Sequence, residues 1–269
     1  MSHRALLSLG LALSLALSPL ASAKESAREH KILFFGKDER VKTAPTHAPW
    51  TSVGQLETAT GTICTGTLVA DDVVLTAGHC FIDEKGHFDP ATLFTVGLWG
   101  KQHRNQSKVT QVQVDRTFLK GLKHVNGSII IPPRIAGRDV AFVRLSKPLG
   151  KQEGVVEVFA GNHPQLQQLM RSNQWKVTQG GYPIDDQTHL LVHSRCDATG
   201  FLPDGRLTHH CDTLAGDSGS PIFAQRDGKP VIVAIQSSAP DAKDRKRADN
   251  MALSAPVFYR QLQQFIHAR

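Results

Sequence analysis

Short apolar stretches punctuated by Gly, Pro, Asn and Asp recur along this chain, at 66–70, 73–75, 93–98, 109–114, 140–145, 155–159 and 231–235. Runs of that length between turn residues read as strands. Their steady succession, with little helical periodicity, predicts an all-β sandwich or barrel architecture. The stretch 140–145 is too densely apolar for simple alternation and predicts a strand covered on both faces. One segment has a different period. Val257, Phe258, Leu262, Phe265 and Ile266 fall on one face of a 3.6-residue spiral, which predicts a single helix at the C-terminal end, over 255–268. There is no internal repeat and no low-complexity tract.

The first 23 residues follow a different logic. Arg4 supplies a positive start, 5–17 a short apolar core interrupted by Ser, and Ala21-Ser22-Ala23 a small-residue cleavage site. The apolar part is too short to span a bilayer, so a removable targeting segment is expected, with cleavage after Ala23. No later stretch approaches 18 apolar residues. The expectation is an exported protein, periplasmic or extracellular, with no stable membrane anchor. The roughly 245 residues that remain suit one large all-β unit or two small domains.

Export changes the meaning of the four cysteines, Cys64, Cys80, Cys196 and Cys211, which allow three pairings. Local closure favours Cys64–Cys80 and Cys196–Cys211, each closing a loop of about 15 residues worth roughly 3 kcal/mol in the chain-entropy model. A zinc site is the alternative, and spacings of 16 and 15 without a Cys-x-x-Cys pair suit it poorly. The net charge of +7 falls to +6 without Arg4. Its densest patch, Lys243-Asp244-Arg245-Lys246-Arg247, is diluted by Asp241, Asp244 and Asp249 and reads as a solvated loop, so no nucleic-acid partner is expected. His209-His210 beside Cys211 has no spaced partner and reads as strand surface; no metal site is expected.

The chemistry gathers around Gly216-Asp217-Ser218-Gly219-Ser220-Pro221, a hydroxyl set between two glycines. A serine is a poor nucleophile at neutral pH and needs a base, together with donors for the oxyanion that follows its attack. The backbone N–H groups of Gly216 and Ser218 are candidates for that oxyanion hole. The candidate base is His79 in Thr76-Ala77-Gly78-His79-Cys80, which follows the apolar run 73–75. Cys80 could tether its turn. Asp139 heads the apolar stretch 140–145, where a carboxylate could accept the imidazole N–H, fixing the tautomer and stabilising the imidazolium. The three stand in the order His, Asp, Ser at separations of 60 and 79 residues. That order differs from the orders of subtilisin and of the α/β-hydrolases.

On these residues the chain resembles the chymotrypsin-fold serine proteases, with TAGHC, GRDVAFVRL and GDSGSP as the triad motifs. The nearer likeness is to the bacterial branch that includes the glutamyl endopeptidases, supported by the stretches 35–40 and 177–183 and by Ser220, where animal trypsins usually carry a second glycine. The resemblance covers roughly 32–267 and implies two six-stranded antiparallel β-barrels with an active site in the cleft between them. The first barrel, 46–150, would carry His79 and Asp139. The second, 151–269, would carry Ser218 and the C-terminal helix, with 148–154 as the crossover.

The implied activity is endopeptidase chemistry on polypeptides through an acyl-enzyme, by a monomer that needs no cofactor. A protease fold retained as a non-catalytic binding module and an exported esterase are the alternatives. Asp212 stands six residues before Ser218, where trypsin-like enzymes carry the acid of the primary specificity pocket, which would mean cleavage after Lys or Arg. In glutamyl endopeptidases a histidine near the end of the strand after the nucleophile helps bind an acidic side chain; here that place falls to Gln236, which could hydrogen-bond a carboxylate without supplying charge. Segment 24–45 could be a propeptide, removed at Lys31–Ile32 or Arg40–Val41, if Asp217 receives a newly freed α-amino group as in zymogen-forming relatives.

Overall fold

The structure, a computed structural model, describes residues 34–268 apart from 84, 126–127 and 240–248, with the backbone alone at 124–125 and 128–129. The targeting segment 1–23, the Lys31–Ile32 bond and the basic patch 243–247 therefore lie outside the described residues. The chain opens with a strap, 34–40, leading into a two-residue strand, β1 (Val41–Lys42). Five strands of a first barrel follow: β2 (Val53–Thr58), β3 (Ile63–Ala70), β4 (Val73–Thr76), β5 (Ala91–Val96) and β6 (Asn105–Val114). An insertion then carries a short helix α1 (Arg116–Gly121), the hairpin β7 (Lys123–Val125) and β8 (Ser128–Ile130), and a one-turn helix α2 (Pro133–Ala136). The sixth strand, β9 (Ala141–Leu145), closes the barrel in the order β2-β3-β4-β9-β6-β5, all antiparallel.

After a one-turn helix α3 (Gly150–Glu153) and a helix α4 (His163–Ser172) comes the second barrel. Its strands are β10 (Lys176–Gly181), β11 (Leu191–Phe201), β12 (Leu207–His209), β13 (Pro221–Arg226), β14 (Lys229–Ser238) and β15 (Asn250–Ser254). They run β11-β10-β13-β14-β15-β12, and the β11–β12 pairing closes the ring; β1 adds to β11 outside it. The last element is the helix α5 (Ala255–His267).

Burial explains why the apolar runs became these strands. In β9, Ala141 and Val143 face the interior of the first barrel with Leu56, Leu68 and Phe94, while Phe142 turns outward into the other core cluster and meets Phe265 of α5 at 5.7 Å. Both faces are covered, as the density of apolar residues at 140–145 predicts. Val231 to Ile235 of β14 are likewise almost wholly buried, and each of its Val and Ile side chains is worth roughly 1.5–3 kcal/mol against exposure. Helix α5 buries Phe258, Leu262 and Phe265 and braces the two barrels together. Arg144 of β9 bonds the carboxylate of Asp72 at 2.9 Å, reaches the carbonyls of Phe265 and Ala268, and lies 4.8 Å over the Phe265 ring.

Three expectations are corrected. The stretch 155–159 is not a strand. Val156 donates to Leu68 of the first barrel and Phe159 to Ile232 of the second, so the segment bridges two sheets and pairs with neither long enough to form a ladder; only Val158 makes a lone bridge. The C-terminal helix is not the only one. Helix α4 is announced by a capping box, in which Gln165 N–H donates to Asn162 Oδ1 at 3.0 Å and Asn162 N–H to Gln165 Oε1 at 2.9 Å, and by Leu166 and Met170 one turn apart on its buried face. Three apolar residues, Leu166, Leu169 and Met170, were too few to stand out against so much strand. His209, read as strand surface, is buried. β12 is flanked by β11 and β15, and its alternation turns Leu207 and His209 inward.

Candidate active site

β4 is buried along its whole length and feeds a one-turn 3₁₀ segment, Gly78–Phe81, that carries His79. A disulfide from Cys80 to Cys64 of β3 pins this turn; the second bond, Cys196–Cys211, ties β11 to the segment before Ser218. Both pairings are those favoured by local closure. The three candidate residues, far apart in sequence, meet where the barrels face each other. Asp139, fully buried at the head of β9, accepts the backbone N–H of His79 on Oδ1 at 2.8 Å and the imidazole Nδ1–H on Oδ2 at 2.8 Å. Ser237, which nothing in the sequence distinguishes from any other serine, adds its hydroxyl to the same Oδ2 at 2.5 Å.

With Nδ1 committed as a donor to the carboxylate, Nε2 presents its lone pair to Ser218 Oγ at 2.7 Å. Burial works against the charged imidazole, but the charge and hydrogen bond of Asp139 outweigh it, so His79 titrates above the usual histidine value. This is an arrangement in which a base can take a proton from an alcohol and hold it.

The loop bearing Ser218 is held tightly. Asp217 accepts Leu214 N–H at 2.9 Å, Gly219 N–H donates to Gln236 O at 2.8 Å, and Thr65 N–H from β3 donates to Ser218 O at 2.9 Å. Gly216 has φ +94°, and a Cβ there would come 2.5 Å from Tyr182 O, so only glycine fits. The N–H groups of Gly216 and Ser218 donate to no protein acceptor among the described residues. Two uncommitted donors beside a nucleophile are the raw material of an oxyanion site. Asp217 itself is buried, which pushes its carboxyl up to about 7 against the opposing effects of the Leu214 N–H, the Arg40 charge and the Thr213 hydroxyl.

The two candidate pocket residues have different surroundings. Asp212 has a side chain only 1% exposed; its oxygens accept the backbone N–H of Phe35 at 3.3 Å and of Glu39 at 2.9 Å, and its own backbone N–H donates to His193 Nδ1 at 2.9 Å. The strap 34–40 lies over it, with Phe35 stacked on His210 at 4.3 Å. Gln236 is also buried. Its Oε1 lies 2.7 Å from His209 Nε2, and because Cys211 N–H donates to His209 Nδ1, the imidazole proton sits on Nε2 and points at Gln236. That leaves the Gln236 amide as a donor, with Nε2 reaching Ser238 O at 3.2 Å. At the Arg40–Val41 bond the Arg40 side chain is 3% exposed, paired with Asp38 and Asp185 and lying 4.4 Å over the Phe34 ring, while Val41 is exposed.

Comparison with known proteins agrees with this fold. The Trypsin domain family matches residues 38–265. A glutamyl endopeptidase of Bacillus licheniformis is 26% identical over 197 residues, covering 72% of this chain and 55% of that protein, so the match spans little more than half the length of that relative. The thrombin-like enzyme acutin of Deinagkistrodon acutus is 25% identical over 188 residues, covering 64% of this chain and 74% of the relative. Among solved structures, a Glu endopeptidase in complex with MPD superposes with a TM-score of 0.67 at 19% identity, covering 87% of this chain and 99% of the other, a likeness of fold. The chain belongs to the trypsin family, with a chymotrypsin-like fold related to that of the glutamyl endopeptidases.

Proposed function

We propose that this chain is an exported serine endopeptidase. Ser218 attacks a peptide carbonyl while His79 takes the Oγ proton and then delivers it to the leaving amine. Asp139, itself fixed by Ser237, orients His79 and stabilises its charged form. The N–H groups of Gly216 and Ser218 hold the oxyanion, and water clears the acyl-enzyme by the same route. The observation that carries this reading is the unbroken chain Asp139–His79–Ser218, with both hydrogen bonds at 2.7–2.8 Å. The two disulfides support export.

For the residue on the acyl side of the cut, a Lys or Arg preference would require Asp212 to exchange two backbone donors for a substrate cation, which weakens that expectation. The Gln236 amide, with its oxygen occupied by His209, favours side chains that accept hydrogen bonds, Glu or Gln. Cleavage profiling on a denatured protein mixture, run beside fluorophosphonate labelling, tests both parts. Labelled wild type, unlabelled Ser218→Ala and cuts after Glu or Gln are expected. Labelling that survives Ser218→Ala refutes the mechanism, ester hydrolysis without peptide cleavage favours an esterase, and dominant cuts after Lys or Arg refute the specificity.

A further inference from the structure

A buried threonine of the first barrel hydrogen-bonds both the Ser218 loop and the loop beside it. Thr65 on β3 is wholly buried, and all of its polar groups are used. Its N–H donates to Ser218 O at 2.9 Å, and its carbonyl accepts from Thr76 Oγ1 at 2.8 Å. Its hydroxyl donates to Gly216 O at 2.9 Å and accepts Tyr182 N–H at 2.9 Å. We infer that Thr65 is a positioning residue for the proposed acyl transfer, a clasp between the barrels that keeps the Gly216 N–H aimed at the oxyanion.

Glycine at 216 fits its crowded place, but it also leaves the two peptide planes on either side of its Cα free to swing. Both are held, and both holds lead back to Thr65. The 216–217 plane is fixed at its oxygen by the Thr65 hydroxyl and at its N–H by Leu214 O, 3.1 Å from Asp217 N. The 215–216 plane, which carries the Gly216 N–H, is fixed at Ala215 O by the N–H of Ile184 at 2.7 Å. In a trans peptide the C=O and N–H point in opposite directions, so holding Ala215 O at Ile184 turns the Gly216 N–H away from it. Ile184 in turn stands two residues beyond Tyr182, whose N–H ends on the Thr65 hydroxyl. One β-branched side chain, stiff about its first torsion, thus sets both planes.

The packing leaves little room for a substitute. A Cβ on Gly181 would fall 2.9 Å from Thr65 Oγ1, 2.4 Å from Asp217 Oδ1 and 2.0 Å from Ser220 Oγ. Three buried polar side chains therefore converge on one point directly beneath the Ser218 loop. Removing the Thr65 hydroxyl leaves the Gly216 carbonyl and the Tyr182 N–H unpaired in a buried place. Turning the Gly216 peptide to recover a partner is the easiest relief, and it takes an oxyanion donor with it.

The inference rests on the proposed catalytic reading and is tested on the full chain with Thr65→Val and Thr65→Ser. Steady-state peptide hydrolysis is measured across pH, together with affinity for a peptidyl aldehyde, which needs the oxyanion site, and melting temperature. Thr65→Val is expected to lower kcat about 100-fold, the scale of one lost oxyanion donor. KM and the acid limb of the pH profile stay in place, and aldehyde affinity falls in parallel with kcat. Thr65→Ser, which restores the hydroxyl, is expected to recover most of the loss. Wild-type kcat and aldehyde affinity in Thr65→Val would overturn the inference; so would a Thr65→Ser variant as impaired as Thr65→Val, which would assign the effect to the methyl group. Should Thr65→Val not fold, Thr65→Ala takes its place with the same expected direction, and unchanged kcat there overturns the proposal. A wild-type chain that cleaves no peptide and takes no fluorophosphonate would instead remove the catalytic reading on which the clasp depends.

Discussion

Asp217 offers the sharpest quantitative test, because its carboxyl is buried with too few donors to keep it charged. One oxygen receives Leu214 N–H at 2.9 Å and the Thr213 hydroxyl at 3.3 Å. The other lies 2.4 Å from where a Cβ on Gly181 would stand, in the crowded space shared with Ser220, whose buried Oγ has no hydrogen-bond partner. Burial moves the carboxyl from an ordinary 3.8 up to about 7. Between those two values the folded chain keeps a proton that the unfolded chain has released, so this group makes the fold less stable as pH rises. Its contribution is fully present below pH 3.8 and lost by the time pH has passed about 7. At about 1.4 kcal/mol per pH unit the whole loss is about 4 kcal/mol, of which about 3 kcal/mol falls between pH 5 and pH 8. Asp217→Asn has the same shape without the charge. Its carbonyl can accept the Leu214 N–H, and its NH₂ can donate to Ser220 Oγ. Urea unfolding of both chains across that range should show the variant gaining on wild type by about 3 kcal/mol as pH rises. A difference that stays flat, or that turns in favour of wild type, would show that Asp217 is charged in the folded state and that the burial argument is wrong.

Two other outcomes follow from the same geometry. Asp139→Asn should lower kcat by about 10⁴-fold, because the amide no longer enforces the tautomer that leaves Nε2 free. Since Asp139 is what holds His79 above the usual histidine value, the acid limb of kcat/KM should also move to lower pH; a limb that stays put would mean the carboxylate charge is not what raises it. Replacing Cys64 and Cys80 together by Ala opens a loop of 16 residues and should remove about 3 kcal/mol of stability by chemical denaturation. The same change should lower kcat more than loss of Cys196–Cys211 does, because only the first bond is adjacent to His79. Equal effects on kcat would show that the His79 turn is held by other contacts.

What the sequence disclosed and what it concealed divide along a physical line. His79, Asp139 and Ser218 were legible because each sits in a local motif whose residue types are dictated by chemistry at that spot, and their order then restricts the fold. The disulfides and the terminal helix were legible because loop closure and helical period are local as well. Ser237 and Thr65 were not, because their importance comes wholly from what lies 98 and 151 residues away, Asp139 for one and Gly216 for the other. Asp212 shows a different limit. Its spacing from Ser218 suggested a pocket acid, but spacing says nothing about which donors reach it, and the strap 34–40, short and without periodicity, gave no sign that its backbone N–H groups would end there. His209 was hidden for the same reason: a histidine on a short polar segment looks exposed until β11 and β15 are known to flank it. In a fold whose chemistry lies between two barrels, the residues that make bonds announce themselves by type. The residues that hold the barrels in register are ordinary serines, threonines and backbone amides, and only tertiary structure identifies them. Loss of function by substitution at Thr65, with the triad untouched, is therefore the result that would show catalysis here depends on the joint as much as on the motif.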